Sequence, residues 1–96
     1  MYLNIGKNAV IWDDQIIGIF DLDSSSQSFL TREYLSAAEK AGSVINAADD
    51  IPNSFLIVSE KGKQNIYLTQ SMSKTLAKKI EQLQEERRDT WRNSTN

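Results

Sequence analysis

The longest strongly apolar runs in this chain, Ile16 to Phe20 and Phe55 to Val58, are no longer than single strands, and with no cysteine present nothing can cross-link them. Cohesion has to come from apolar burial alone. At 96 residues one domain is expected, and a domain this small buries a thin core. Association between copies would remove more apolar surface from water without lengthening the chain, so a homo-oligomer is expected.

The missing residue types also narrow the chemistry. Without cysteine there is no thiolate nucleophile, iron–sulfur cluster or thiolate-bound zinc. Histidine is absent too, which removes the usual general base near neutral pH and the commonest metal ligand. The chain is read as a non-enzyme that needs no cofactor. Neither apolar run approaches the roughly 20 residues of a membrane helix. Met1 to Lys7 lacks a basic segment leading into an apolar one, so a soluble, cytoplasmic protein without a membrane partner is expected.

Net charge is −2, but it is unevenly spread. Residues 1–70 hold five basic and nine acidic side chains, whereas residues 71–96 hold six basic and four acidic ones. Attraction for a polyanion would therefore arise from local clusters and not from the summed field.

The patterning predicts an α+β fold, mainly antiparallel sheet with one central helix and a C-terminal helix. Tyr2, Leu3 and Ile5 before Gly6, and Ala9 to Trp12 before Asp13 and Asp14, read as strands, with the acidic pair suiting a tight turn between antiparallel neighbours. Ile16, Ile17, Ile19, Phe20 and Leu22 show little alternation, which predicts a third strand covered on both faces, by helix on one side and by protein or a neighbouring subunit on the other. A helix follows, with Thr31 as N-cap, a Leu30–Leu35 staple, and Tyr34, Leu35, Ala38 and Ala41 on the face toward the sheet; Gly42 ends it. Val44 and Ile45 suggest a short strand, and Asp49, Asp50 and Pro52 a loop. Ser54 to Ser59 and Asn65 to Thr69 form a hairpin around Gly62. From Ser71 the period is helical, with Leu76, Ile80 and Leu83 as a stripe and Ala77 beside it. Residues 1–86 are thus expected to make one domain, and residues 87–96 a charged, disordered tail.

Few residues suggest chemistry. Asp21 and Asp23 at a strand end have the spacing of a divalent-cation pair, but aspartate before serines is also what a strand-to-loop junction uses. Asp49 and Asp50 before Pro52 face the same choice. Asn93 to Thr95 match a glycosylation sequon, without a secretion signal to bring them to the compartment that would use it. Lys61 and Lys63 flank Gly62 at the hairpin tip, where they could touch phosphates or simply solubilise the tip. Lys74, Lys78 and Lys79 lie together on the last helix, and repeated around a closed oligomer they would contact more phosphates at once. Most aromatic residues fall within strand and helix patterns and read as core or subunit interface. Trp12, at a strand end beside a turn, is the exception that could stack on a base.

The order of motifs resembles a family. MYLNIG at Met1 to Gly6, IIGIFD at Ile16 to Asp21, LTREYL at Leu30 to Leu35, and IYLT at Ile66 to Thr69 leading to Thr75 and Leu76 are similar to the small bacterial extracellular matrix regulators. The match is closest to the RemB-like branch, related to RemA, and covers about residues 2 to 80. The resemblance implies a ring of subunits that binds DNA through repeated basic residues and regulates biofilm matrix genes. In the RemA-like branch arginines precede the third strand and cluster in the loop before the fourth. This chain has Asp13, Asp14 and Gln15 at the first place and Asp49 to Asn53 at the second. Acids there would repel phosphates, so Lys61, Lys63, Lys74, Lys78, Lys79 and Arg32 would have to carry the contact. The partners expected are a second copy of the chain and duplex DNA. The acidic first 70 residues motivate an alternative, an oligomeric adaptor that meets another regulatory protein.

Overall fold

The computed structural model describes the backbone of residues 2–7, 9–25 and 28–95, and side chains within that set except those of Ser25 and residues 87–95. Among the described residues it is an α+β domain of six strands, three α-helices and a 3-10 turn, Asp13–Gln15. β1 (Tyr2–Gly6) and β2 (Ala9–Trp12) form an antiparallel ribbon. β3 (Ile16–Asp21), β4 (Val44–Asn46), β5 (Ser54–Glu60) and β6 (Lys63–Thr69) make a second sheet in the order β3-β5-β6-β4. The helices are α1 (Leu22–Ser25), α2 (Phe29–Lys40) and α3 (Ser73–Thr95). Residues 87–95, expected to belong to a disordered tail, continue the backbone of α3, while their side chains and residue 96 lie outside the described residues. No helix among the described residues is long and apolar enough to cross a membrane.

The period of two in a strand assigns the faces. On the ribbon Leu3, Ile5 and Ile11 are buried, while Tyr2, Val10 and Trp12 are exposed. The inward set packs with Leu56, Val58 and Tyr67 of the larger sheet and with Leu76 of α3, and Ile16, Ile19, Ile80 and Leu83 complete the cluster. Ribbon and α3 therefore share one face of the sheet. Phe55 and Ile57, pointing the other way, meet α2 across a groove. The ribbon is locked down by a buried bond, in which the Thr69 hydroxyl donates to the Ile5 carbonyl at 2.6 Å. The hydroxyl of the buried Ser54, opposite Thr69 in the ladder, has no partner among the described residues.

Several expectations are met at residue level. β5 and β6 pair antiparallel, and their turn has only two central residues, Lys61 and Gly62, both at positive φ (51° and 79°). That is the primed-turn geometry, whose twist suits a hairpin. Gly42, at φ 73°, ends α2 where expected. The Gly42 N–H bonds the Glu39 carbonyl and the Ser43 N–H the Ala38 carbonyl, a Schellman closure. Leu76 is fully buried, as the stripe on α3 requires.

Other expectations are corrected. Asp13 and Asp14 do not connect paired strands. They lie in a 3-10 turn that carries the chain from the ribbon into a different sheet. Within the single chain β3 lacks its second cover, so of the two expected sources only a neighbouring subunit could supply it. β3 is an edge strand, with Ile17 57% and Phe20 39% exposed. Its unbroken apolar run has another cause: pairing with β5 is irregular between Ile16 and Gly18, so Ile17 is a bulge residue and the alternation shifts by one. α2 begins one turn earlier than Thr31, with Ser28 at the N-cap and its carbonyl accepting from the Arg32 N–H. Leu30 consequently lies inside the first turn, 74% exposed, and cannot act as a staple. α2 has no fully buried residue, so it rests on the sheet more lightly than its apolar face suggests. The short α1 was not foreseen, and β4 runs parallel to β6.

Candidate nucleic-acid interface

The six basic residues singled out above occupy three separate elements. Lys61 sits at the turn between β5 and β6, and Lys63 opens β6 opposite Glu60. Arg32 is exposed on α2, and Lys74, Lys78 and Lys79 are exposed on α3. Only Lys61 and Lys63 are gathered around one feature. With Trp12, Gln15, Glu60 and Asn65 they line a hollow of about 500 Å³ that has the end of β2 on one wall and the β5–β6 hairpin tip on another. Arg32 and the three α3 lysines are not part of it.

Glu60 is committed elsewhere than to the lysines. The Tyr67 hydroxyl donates to Glu60 Oε1 at 2.6 Å, and Asn65 Nδ2 donates to the same oxygen at 3.3 Å. Cross-strand spacing explains this: Asn65 and Tyr67 are two residues apart on β6 and face the same way as Glu60 on β5. Burial, followed by the hydrogen bond to Glu60 and the charge of Glu60, pushes the Tyr67 phenol up from 10.0 to about 12. The folded chain therefore keeps this proton at a pH where the unfolded chain loses it, so the associated stability is complete below pH 10 and disappears as pH rises toward 12. Replacing Tyr67 by Phe should reduce the fall in urea midpoint across that window, and an unchanged fall would show that other groups cause it.

Gln15, Glu60 and Asn65 escaped the sequence reading. Their signal was the strand alternation of Asn65 and Tyr67 combined with a two-residue turn, which places Glu60 beside them. Trp12 is the last residue of β2. It lies against its cross-strand partner Tyr2, with ring centroids 4.0 Å apart and planes tilted by 37°.

The carboxylate candidates have structural work. Asp21 Oδ1 accepts the Asp23 N–H at 2.9 Å and caps α1, and Asp50 Oδ1 accepts the Ile51 N–H at 2.9 Å. Among the described residues no group of three or more His, Cys, Asp or Glu is placed to hold a metal.

A second, apolar groove of about 200 Å³ lies between α2 and the sheet, lined by Phe20, Leu30, Thr31, Tyr34, Phe55 and Ile57. Phe20 and Phe55 stack in it, centroids 5.0 Å apart, and Tyr34 bridges to β6 by donating to Gln64 Oε1 at 3.2 Å. Phe20 and Leu30 leave this groove partly open along the β3 edge.

Comparison with known proteins adds one finding: the model of the RemA-like family, described as extracellular matrix regulatory protein A-like, matches residues 2–80. No curated protein matches the chain.

Proposed function

Because the chain belongs to the RemA-like, extracellular matrix regulatory protein A-like family, we propose that it regulates matrix genes by binding duplex DNA as a ring-like homo-oligomer, chiefly through phosphate contacts. Family membership across residues 2–80 is the observation that carries this reading. The exposed apolar surface supports the assembly: Ile17 and Phe20 on an edge strand, Leu30 lining the same groove as Phe20, and Phe29 exposed at the start of α2, are side chains that a neighbouring copy would cover. Lys61 and Lys63 at a rigid hairpin tip, and Lys74, Lys78 and Lys79 on α3, would then be repeated around the assembly, where each phosphate neutralised adds to counterion release.

The test is a gel shift with duplex DNA at several salt concentrations, combined with native mass. Binding should weaken steeply with salt. Charge reversal at Lys61 and Lys63 should flatten the log–log salt slope by about 2 for each engaged subunit. A stable single chain at micromolar concentration, or no duplex binding at low salt, would overturn the proposal.

The acids at Asp13, Asp14, Asp49 and Asp50, where the RemA-like branch has arginines, favour a second reading as an oligomeric adaptor for a protein partner. Pull-down from lysate separates the two readings, since DNA as the sole specific partner removes the adaptor.

A further inference from the structure

Among the described residues no ion pair engages Lys61 or Lys63, although Glu60 is the direct cross-strand partner of Lys63. Glu60, which also lines the hollow, instead accepts from Tyr67 and Asn65 through one carboxylate oxygen, Oε1. Two ammonium groups are thus left for an outside anion on the rim of the hollow that Trp12 walls.

Two further observations point to a ligand. Lys61 adopts φ 51°, a left-handed conformation in a turn where glycine, asparagine or aspartate would fit with less strain. Its ammonium group offers something those residues cannot. Trp12 is 41% exposed and is braced by Tyr2, so its indole is held out at the hollow. The hollow, at about 500 Å³, falls within the ~300–1,000 Å³ range of small-molecule sites. Gln15 and Asn65 on its wall carry amides that can both donate and accept hydrogen bonds.

We infer that this hollow binds a nucleotide whose base is unpaired, the base stacking on Trp12 and the phosphate meeting Lys61 and Lys63. An aromatic face beside two cations matches a base joined to a phosphate, and stacking on an indole tolerates any base. Duplex DNA keeps its bases stacked inside, so this site goes beyond the phosphate contacts proposed above while sharing two of their lysines. The ligand is either a free nucleotide or a nucleotide within an unpaired strand.

The full chain carrying Trp91→Phe leaves Trp12 as the sole indole, and its fluorescence should be quenched saturably. Thymidine 5′-monophosphate and a short oligothymidylate are the two ligands, with thymidine and inorganic phosphate as half-ligands expected to bind at least about tenfold more weakly. Saturation by the monophosphate at concentrations similar to the oligomer assigns a free nucleotide; saturation by the oligomer alone, or at much lower concentration, assigns an unpaired strand. Lys61→Asn, which keeps a residue suited to the turn, should weaken binding several-fold without lowering the melting temperature. Trp12→Leu, followed by equilibrium dialysis, should weaken it by about tenfold. No saturable quenching by either ligand up to millimolar concentration, or equal affinity for inorganic phosphate, overturns the inference. A gel shift with duplex DNA on the same protein keeps the two proposals apart: duplex bound without any nucleotide response preserves the regulator and removes this site.

Discussion

Gly6→Ala is expected to destabilise the domain by at least about 3 kcal/mol, through a strained backbone and the loss of ribbon packing. Gly6 stands at φ 129°, a region that L side chains rarely adopt. An added methyl would overlap the Ala47 carbonyl oxygen. Neither side can retreat easily. The Ala47 N–H is bonded to the Leu68 carbonyl at 2.8 Å, and the neighbouring Ile5 carbonyl holds the Thr69 hydroxyl. To admit the methyl, the ribbon must lift and partly expose Leu3, Ile5 and Ile11. In a domain of this size about 3 kcal/mol corresponds to a melting temperature lowered by ~12 °C or more. Gly42→Ala is the control: Gly42 also has positive φ, but nothing lies within 4 Å of its added methyl, so its cost should be only about 1 kcal/mol. Thermal denaturation followed by circular dichroism compares them, and equal melting temperatures for the two variants would refute the close-approach argument.

The second large effect is expected from Leu76→Ala, at about 3 kcal/mol. Leu76 is fully buried against the cluster that joins ribbon, sheet and α3, whereas Ile80 and Leu83 are only partly buried. Truncation there leaves a cavity at the point where α3 is anchored, because a packed core collapses only partially around a lost side chain. Leu83→Ala, farther along the same stripe, should cost about 1 kcal/mol, since less of its side chain leaves water on folding. Urea denaturation of both variants measures the difference. A ranking with Leu83 above Leu76 would mean that α3 is held by its later turns.

How much of this was legible from residues alone differs between elements for physical reasons. The β5–β6 hairpin, the stop at Gly42 and the stripe on α3 rest on neighbours a few positions apart, and each appears at its expected place. In the third strand a bulge at Ile17 and two-sided burial both produce an apolar run without alternation. Only the pairing register with β5 tells them apart. The start of α2 misled because Ser28 and Thr31 are both suitable caps, one turn apart, and the choice depends on which carbonyl accepts the first helical bond. In the candidate site, Lys61 and Lys63 could be found as a basic hairpin tip, but their meeting with Trp12 joins residues about fifty positions apart.

Local order therefore belongs to the sequence: the alternation of strands, the heptad-like stripe of α3, the turn at Gly62, and a family pattern over residues 2–80. The tertiary structure alone decided that β1 and β2 form a ribbon of their own, that β4 joins β6 in parallel, and that an indole and two lysines border one hollow. The reason is that propensity and periodicity act between near neighbours, whereas strand partners and site walls are selected by how distant segments fill the space around a single small core.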